Sequence, residues 1–113
     1  MNNTNWQNEF PSSITVCDKE GIIIYMNKKA LETFKDEGGE RLIGSNVLDC
    51  HPEPSRSQVK SMLENGKPNS YTIQKKGKKK LIHQSPYFED GKFAGLVEIS
   101  IEIPETLNNF VRD

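Results

Sequence analysis

The strand-like runs of this sequence fall into two groups, and every helix-like segment lies between them. The first group has two runs, 14–17 and 22–26, which are rich in β-branched residues and are separated by a Gly-containing turn. The second group has three runs, 70–74, 80–88 and 93–103. The turns within each group are short, and short turns join antiparallel neighbours. This order predicts an α+β fold, a five-stranded antiparallel sheet with helices covering one face.

Two helices are predicted between the strand groups. Asn27 is a favourable N-cap for a helix over 27–35, and Gly66 ends a longer helix over 55–65. Apolar residues at helical spacing mark the sides of these helices that we expect to cover the sheet. They are Leu31 and Phe34 in the first helix, and Val59, Met62 and Leu63 in the second.

The last strand alternates apolar and polar residues, which is typical of a sheet with one buried face. Val97, Ile99 and Ile101 share one parity, whereas Glu98 and its polar neighbours at 100 and 102 share the other. The alternation predicts that Val97, Ile99 and Ile101 face the helices. Glu98 would then face solvent.

The composition excludes several classes of function. Fifteen Lys and Arg residues against sixteen Asp and Glu give a net charge of −1, so no global basic field would attract nucleic acid or an acidic membrane surface. No apolar run approaches the ~18 residues of a membrane span, and the N-terminal residues lack the pattern of a signal peptide. We therefore expect a cytoplasmic protein with no nucleic-acid or membrane partner. The lysine-rich run 75–80 is interpreted as a solvated hairpin tip.

A chain of 113 residues has room for one domain. We place this domain at 12–104, with an N-terminal tail or docking segment over 1–11 and a C-terminal tail over 105–113. The sequence carries no kinase, cyclase or DNA-binding motif. Any output is therefore expected from a neighbouring segment or from a separate chain.

Two segments of the sequence resemble the PAS domain, a small sensor module of signalling proteins. The opening segment 14–27 has the family's strand, Asp-x-x-Gly turn, second strand and Asn-x-x-Ala helix start, and 89–99 resembles its final hairpin and long strand. The resemblance implies a cavity between sheet and helices that holds a ligand or cofactor. It also implies frequent homodimerisation and signal transfer through the flanking segments.

The run 49–52, Asp-Cys-His-Pro, is similar to a bacterial and archaeal PAS group in which such a run opens the long helix. An imidazole facing the cavity would be a candidate axial ligand of haem iron, so His51 is the candidate haem ligand. The alternative is a histidine that only caps or hydrogen-bonds at a helix start. A flavin photoadduct is not expected, because Val47 stands where flavin-binding members carry the reactive cysteine.

The second histidine, His83, lies in the middle of a predicted strand. The His83 side chain either enters the cavity, as a second axial ligand or a hydrogen-bond donor, or lies on the open face of the sheet. The two cysteines, Cys17 and Cys50, have no metal-ligand spacing to the histidines, so structural zinc is not expected. The predicted cavity residues are His51, His83, Leu31, Phe34, Val59, Met62, Leu63, Val97 and Ile99.

Two functions of different classes follow. The first is a sensory module that binds a small ligand or cofactor in the cavity and passes a signal to a partner or a flanking segment. The second is a cofactor-free dimerisation module, in which the open face of the sheet and the segment with Trp6 and Phe10 bury against a second copy. An enzyme is not expected, because no nucleophile, base and orienting group stand at spacings that could converge.

Overall fold

The computed structural model describes residues 5–113 and shows one antiparallel sheet with short helices on one side. The predicted fold class is confirmed. The sheet order is β2-β1-β5-β4-β3, so the first and last strands of the chain pair at its centre. The strands are β1 (Ser13–Asp18), β2 (Ile23–Met26), β3 (Asn69–Lys75), β4 (Lys78–Glu89) and β5 (Lys92–Glu102).

Two α-helices and several 3-10 turns connect β2 to β3. Helix α1 spans Lys28–Thr33 and α2 spans Ser55–Asn65. The predicted bounds of α2 are confirmed, and Gly66 ends it in the left-handed conformation. Helix α1 is shorter than predicted, because the chain tightens into 3-10 turns after it. These turns are Lys35–Glu37, Gly39–Leu42 and Val47–Cys50. Within residues 5–113, no helix is long and apolar enough to cross a lipid bilayer.

The inner face of the sheet is defined by its contacts with α2. Cys17 of β1 lies opposite Leu96 of β5, and both are buried against Val59 and Met62 of α2. Burial raises the pKa of the Cys17 thiol, so this side chain stays a neutral core residue. Residues two positions away on these strands share the inner face, and the residues between them lie on the outer face.

A bulge near the start of β5 reverses the predicted parity of that strand. Phe88 lies opposite Phe93, but Tyr87 lies opposite Gly95, so Ala94 is an extra residue. Phe93 therefore packs with the inner core although it is an odd number of positions from Leu96. One inserted residue moves every later side chain to the other face.

The parity prediction for β5 is accordingly wrong. Val97 lies opposite Val16, and Ile99 opposite Ile14, so both residues belong to the outer face, as does Ile101. Glu98 faces the helices instead. Gly95 permits this register, because a Cβ at that position would overlap the backbone carbonyl of Cys17.

Asn27 ties the N-terminal segment, β1 and α1 together. Its fully buried side chain accepts hydrogen bonds through Oδ1 from the backbone N–H groups of Ile14, at 3.0 Å, and Ala30, at 2.9 Å. Its amide donates to the carbonyl oxygens of Gln7, at 2.9 Å, and Ser12, at 2.8 Å. The predicted N-cap is confirmed, and the same residue also holds the segment that precedes the sheet.

The N-terminal segment packs on the outer face near β2. Tyr25 lies opposite Val16, which places it on that face, and its hydroxyl donates to the side-chain carbonyl of Asn8 over 3.4 Å. Ile14, also on the outer face, is buried. This end of the outer face is therefore covered.

Replacing Asn27 with Ala should lower the free energy of unfolding by about 2–4 kcal/mol, because several buried backbone groups lose their partners at once. Urea unfolding of the Asn27→Ala variant measures this loss. Asn108→Ala, at an exposed position in the C-terminal segment, is the matched control and should change stability by less than about 0.5 kcal/mol. Equal effects of the two substitutions would contradict the role of Asn27.

Candidate ligand cavity

A cavity of about 250 Å³ lies between the inner face and the helical layer. All five strands contribute to its walls, together with the end of α1, the 3-10 turns, the segment before α2 and the first residue of α2. Most of its lining is apolar: Ile23, Met26, Phe34, Leu42, Val47, Pro52, Ile73 and Ile82. The polar lining residues are Thr15, His51, Ser55, Tyr71 and Glu98. An apolar cavity with a few convergent polar groups is the usual form of a small-molecule site.

A larger cleft, of about 670 Å³, lies between the end of α1 and the turn that joins β3 to β4. Its walls carry six lysines and four carboxylates, several of which are exposed. Such a surface is well solvated and offers little apolar area to a ligand. The smaller cavity is therefore the candidate site.

Glu98 is the charged group at the centre of the cavity. It lies opposite Thr15 on one side and Gln84 on the other, so three adjacent strands place polar side chains at one level of the inner face. The buried Gln84 amide donates to Glu98 Oε1 over 2.7 Å, and Asn69 donates to Gln84 Oε1 over 3.3 Å. This chain of hydrogen bonds fixes one carboxylate oxygen in place.

His51 faces the same carboxylate from the helical layer. Its Nδ1 lies 2.8 Å from the carbonyl oxygen of Val47, which can only accept, so Nδ1 carries a proton. Its Nε2 lies 3.7 Å from Glu98 Oε1, and the imidazole is only 15% exposed. The interaction with Glu98 raises the pKa of His51 above its ordinary value, although burial opposes this shift.

Three hydroxyl groups, those of Thr15, Ser55 and Tyr71, complete the polar part of the cavity. Thr15 Oγ1 is buried and has no hydrogen-bond partner within the described residues. Burial, and secondly the charge of Glu98, raise the pKa of Tyr71, so its phenol stays protonated. A buried hydroxyl without a partner is costly, and a ligand that bonds to it would remove that cost.

The structure brings together only part of the predicted site. Phe34 and His51 line the cavity. Leu31 packs beside it against the core around Met26, whereas Val59, Met62 and Leu63 form a separate core cluster. These three side chains are packed against other core residues and do not line the cavity.

His83 does not enter the cavity, so its predicted role there is wrong. It lies opposite Ile99 on the outer face, and its Nδ1 is 2.6 Å from the hydroxyl oxygen of Ser70. Val97 and Ile99 lie on the same outer face and cannot line the cavity either. The side chain of Cys50 lies outside the described part of the chain. Among the described residues, no three His, Cys, Asp or Glu side chains converge on a common point.

Sequence reasoning missed the polar lining residues on the strands, above all Thr15 and Glu98. The signal for Glu98 is a carboxylate at mid-strand between apolar neighbours, which the alternation alone places toward solvent. Detecting the bulge at Ala94 would have reversed this assignment. Its sign in the sequence is the small-residue pair Ala94-Gly95 inside an otherwise regular strand.

The cavity does not fit haem. Its volume of about 250 Å³ is below the ~300–1,000 Å³ of pockets for drug-sized ligands, and a porphyrin is larger than most of those ligands. The nitrogen of His51 that would bind iron also faces Glu98 Oε1, at 3.7 Å. A macrocycle would have to displace both this carboxylate and the apolar walls.

A family model described as the PAS fold matches residues 8–107. The chain belongs to the PAS family. Its members are sensory modules of signalling proteins, and the predicted family is therefore confirmed. A search of curated proteins finds no match.

Solved PAS structures resemble this PAS domain at low sequence identity. The PAS domain of BvgS from Bordetella pertussis has a TM-score of 0.67 at 21% identity, with 87% of this chain and 81% of that chain covered. The Aer2 receptor from Vibrio cholerae, described as a dual PAS-haem oxygen sensor, has a TM-score of 0.66 at 20% identity, with 82% and 95% covered. The PAS domain of the histidine kinase ThkA has a TM-score of 0.63 at 25% identity, with 80% and 97% covered.

Protonation of His51 should stabilise the folded protein. The folded pKa is raised above the ordinary 6.5, so this stabilisation is fully present below the ordinary value and is lost as the pH rises through the folded pKa. Glu98→Gln should lower the His51 pKa and reduce this pH-dependent part of the free energy of unfolding.

NMR titration of the His51 ring, with urea unfolding at about pH 5 and about pH 8, measures both effects. Glu102→Gln is the matched control, since Glu102 lies on the same strand but is exposed and outside the cavity. A His51 pKa that is the same in wild type and Glu98→Gln would show that Glu98 does not cause the shift.

Proposed function

We propose that this PAS domain is a sensory module that binds a small molecule in the cavity between its sheet and its helices. The observation that carries the proposal is the cavity itself, whose walls are mostly apolar and whose few polar groups include a buried hydroxyl without a partner. Apolar walls with a few convergent polar groups are typical of small-molecule sites.

The position of Glu98 supports a route for the signal. Glu98 contacts His51, which precedes α2, and it lies on β5, the strand that leads into the C-terminal segment. A ligand that bonds to Glu98 would therefore change the balance of contacts between β5 and the helical layer. The flanking segment after β5 would carry this change to an output partner.

A second function, homodimerisation, is favoured by the outer face. Val97, Ile99 and Ile101 give the central strand an apolar row on the side away from the helices, and Ile101 is 44% exposed. An apolar row on a partly exposed sheet face is a common form of protein–protein contact. Ligand binding and homodimerisation are compatible, since they use opposite faces of the sheet.

Benzene tests whether the cavity admits a ligand, because an apolar cavity of this kind can take up a single ring. Added benzene should shift the backbone amide NMR signals of Thr15 and Ile82. Ile73→Trp fills the cavity wall and should abolish these shifts, whereas Thr72→Trp, on the opposite side of the same strand, should preserve them. Identical shifts in the two variants, or none in the wild type, would contradict the proposal.

Ile101→Lys should weaken homodimerisation at least about tenfold, because it buries a charge in the proposed contact. Sedimentation velocity over a range of protein concentrations measures this change. Glu102→Lys is the control, since it adds the same side chain at the neighbouring position on the other side of the strand. A wild-type protein that stays monomeric at all concentrations would rule out this second function.

A further inference from the structure

The polar groups of the cavity indicate what kind of molecule it binds. We infer that the ligand is a single-ring, mostly apolar molecule with an N–H or O–H hydrogen-bond donor, neutral or cationic, and not an anion. This inference rests on the proposed function, because it specifies the ligand of the same cavity.

The first argument is the free hydrogen-bonding capacity of Glu98. Its Oε1 accepts from Gln84 and faces His51. Within residues 5–113, no protein donor is bonded to its other carboxylate oxygen. An ionised carboxylate can only accept hydrogen bonds, so this oxygen, in a side chain that is 23% exposed, is free to accept from a donor on the ligand.

The second argument is the charge around the cavity. Among the lining residues, Glu98 and His51 are the groups that carry charge near neutral pH, and no lysine or arginine is present. The positive charge of a protonated His51 is already directed at Glu98, at 3.7 Å. An anionic ligand would therefore meet a carboxylate with no free cation to offset the repulsion.

The third argument is the combination of size and lining. A volume of about 250 Å³ is below the ~300 Å³ at which drug-sized pockets begin, so a single substituted ring fits better than a fused system. Thr15 lies directly opposite Glu98, and its unpartnered hydroxyl can accept from or donate to the polar end of the same ligand. The apolar walls then contact the ring.

Four probes of similar size separate the classes: toluene, phenol, benzylamine and benzoate. Each is titrated into the 15N-labelled protein, and binding is followed by the amide signals of cavity residues. Phenol and benzylamine should bind about tenfold or more tightly than toluene and benzoate, because a hydrogen bond to a partly buried charged group contributes that much. Glu98→Gln should weaken benzylamine binding about tenfold, and the matched control Glu102→Gln should leave it unchanged.

The outcomes distinguish this inference from the function on which it rests. If toluene binds as tightly as phenol and benzylamine, or if benzoate binds most tightly, the cavity is a ligand site but the donor class is wrong. If none of the four probes shifts the cavity signals, the proposed function fails as well. Should Glu98→Gln not fold, Thr15→Val should weaken phenol binding about threefold, and unchanged binding would overturn the inference.

Discussion

The fold depends on the buried side chain of Asn27. One amide satisfies backbone N–H groups near the starts of β1 and α1, those of Ile14 and Ala30, and it also holds carbonyl groups of the segment before the sheet. Because this side chain is fully buried, each of these groups would otherwise lose its hydrogen bond without gaining water. The side chain of Asn27 therefore joins the N-terminal segment, β1 and α1.

The bulge at Ala94 decides which side chains of β5 lie on each face of the sheet. Without the extra residue, β5 would turn Val97 and Ile99 toward the helices and Glu98 toward solvent. With it, the inner face gains a carboxylate and the outer face gains an apolar row. The proposed ligand site and the proposed homodimer contact thus have the same structural origin. Gly95 makes this arrangement possible, since a side chain there would overlap the neighbouring strand.

Glu98 then links the parts of the cavity that come from distant positions in the sequence. It receives a hydrogen bond from Gln84 on β4, lies opposite Thr15 on β1 and faces His51 before α2. The interaction between Glu98 and His51 raises the pKa of the imidazole, so in the proposed function a ligand that binds the carboxylate would also act on the helical layer. The low-polarity walls of the cavity strengthen each of these contacts.

The sequence by itself determined the element order, the five-stranded antiparallel sheet, the bounds of α2 and the capping role of Asn27, because turn residues, helical spacing and caps are local properties. It also identified the PAS resemblance and two of the cavity residues, Phe34 and His51. Only the tertiary structure decided that His83, Val97 and Ile99 face outward and that Glu98 and Thr15 face the cavity. The physical reason is that strand parity depends on pairing register, and a single bulged residue changes that register without changing the hydrophobic pattern.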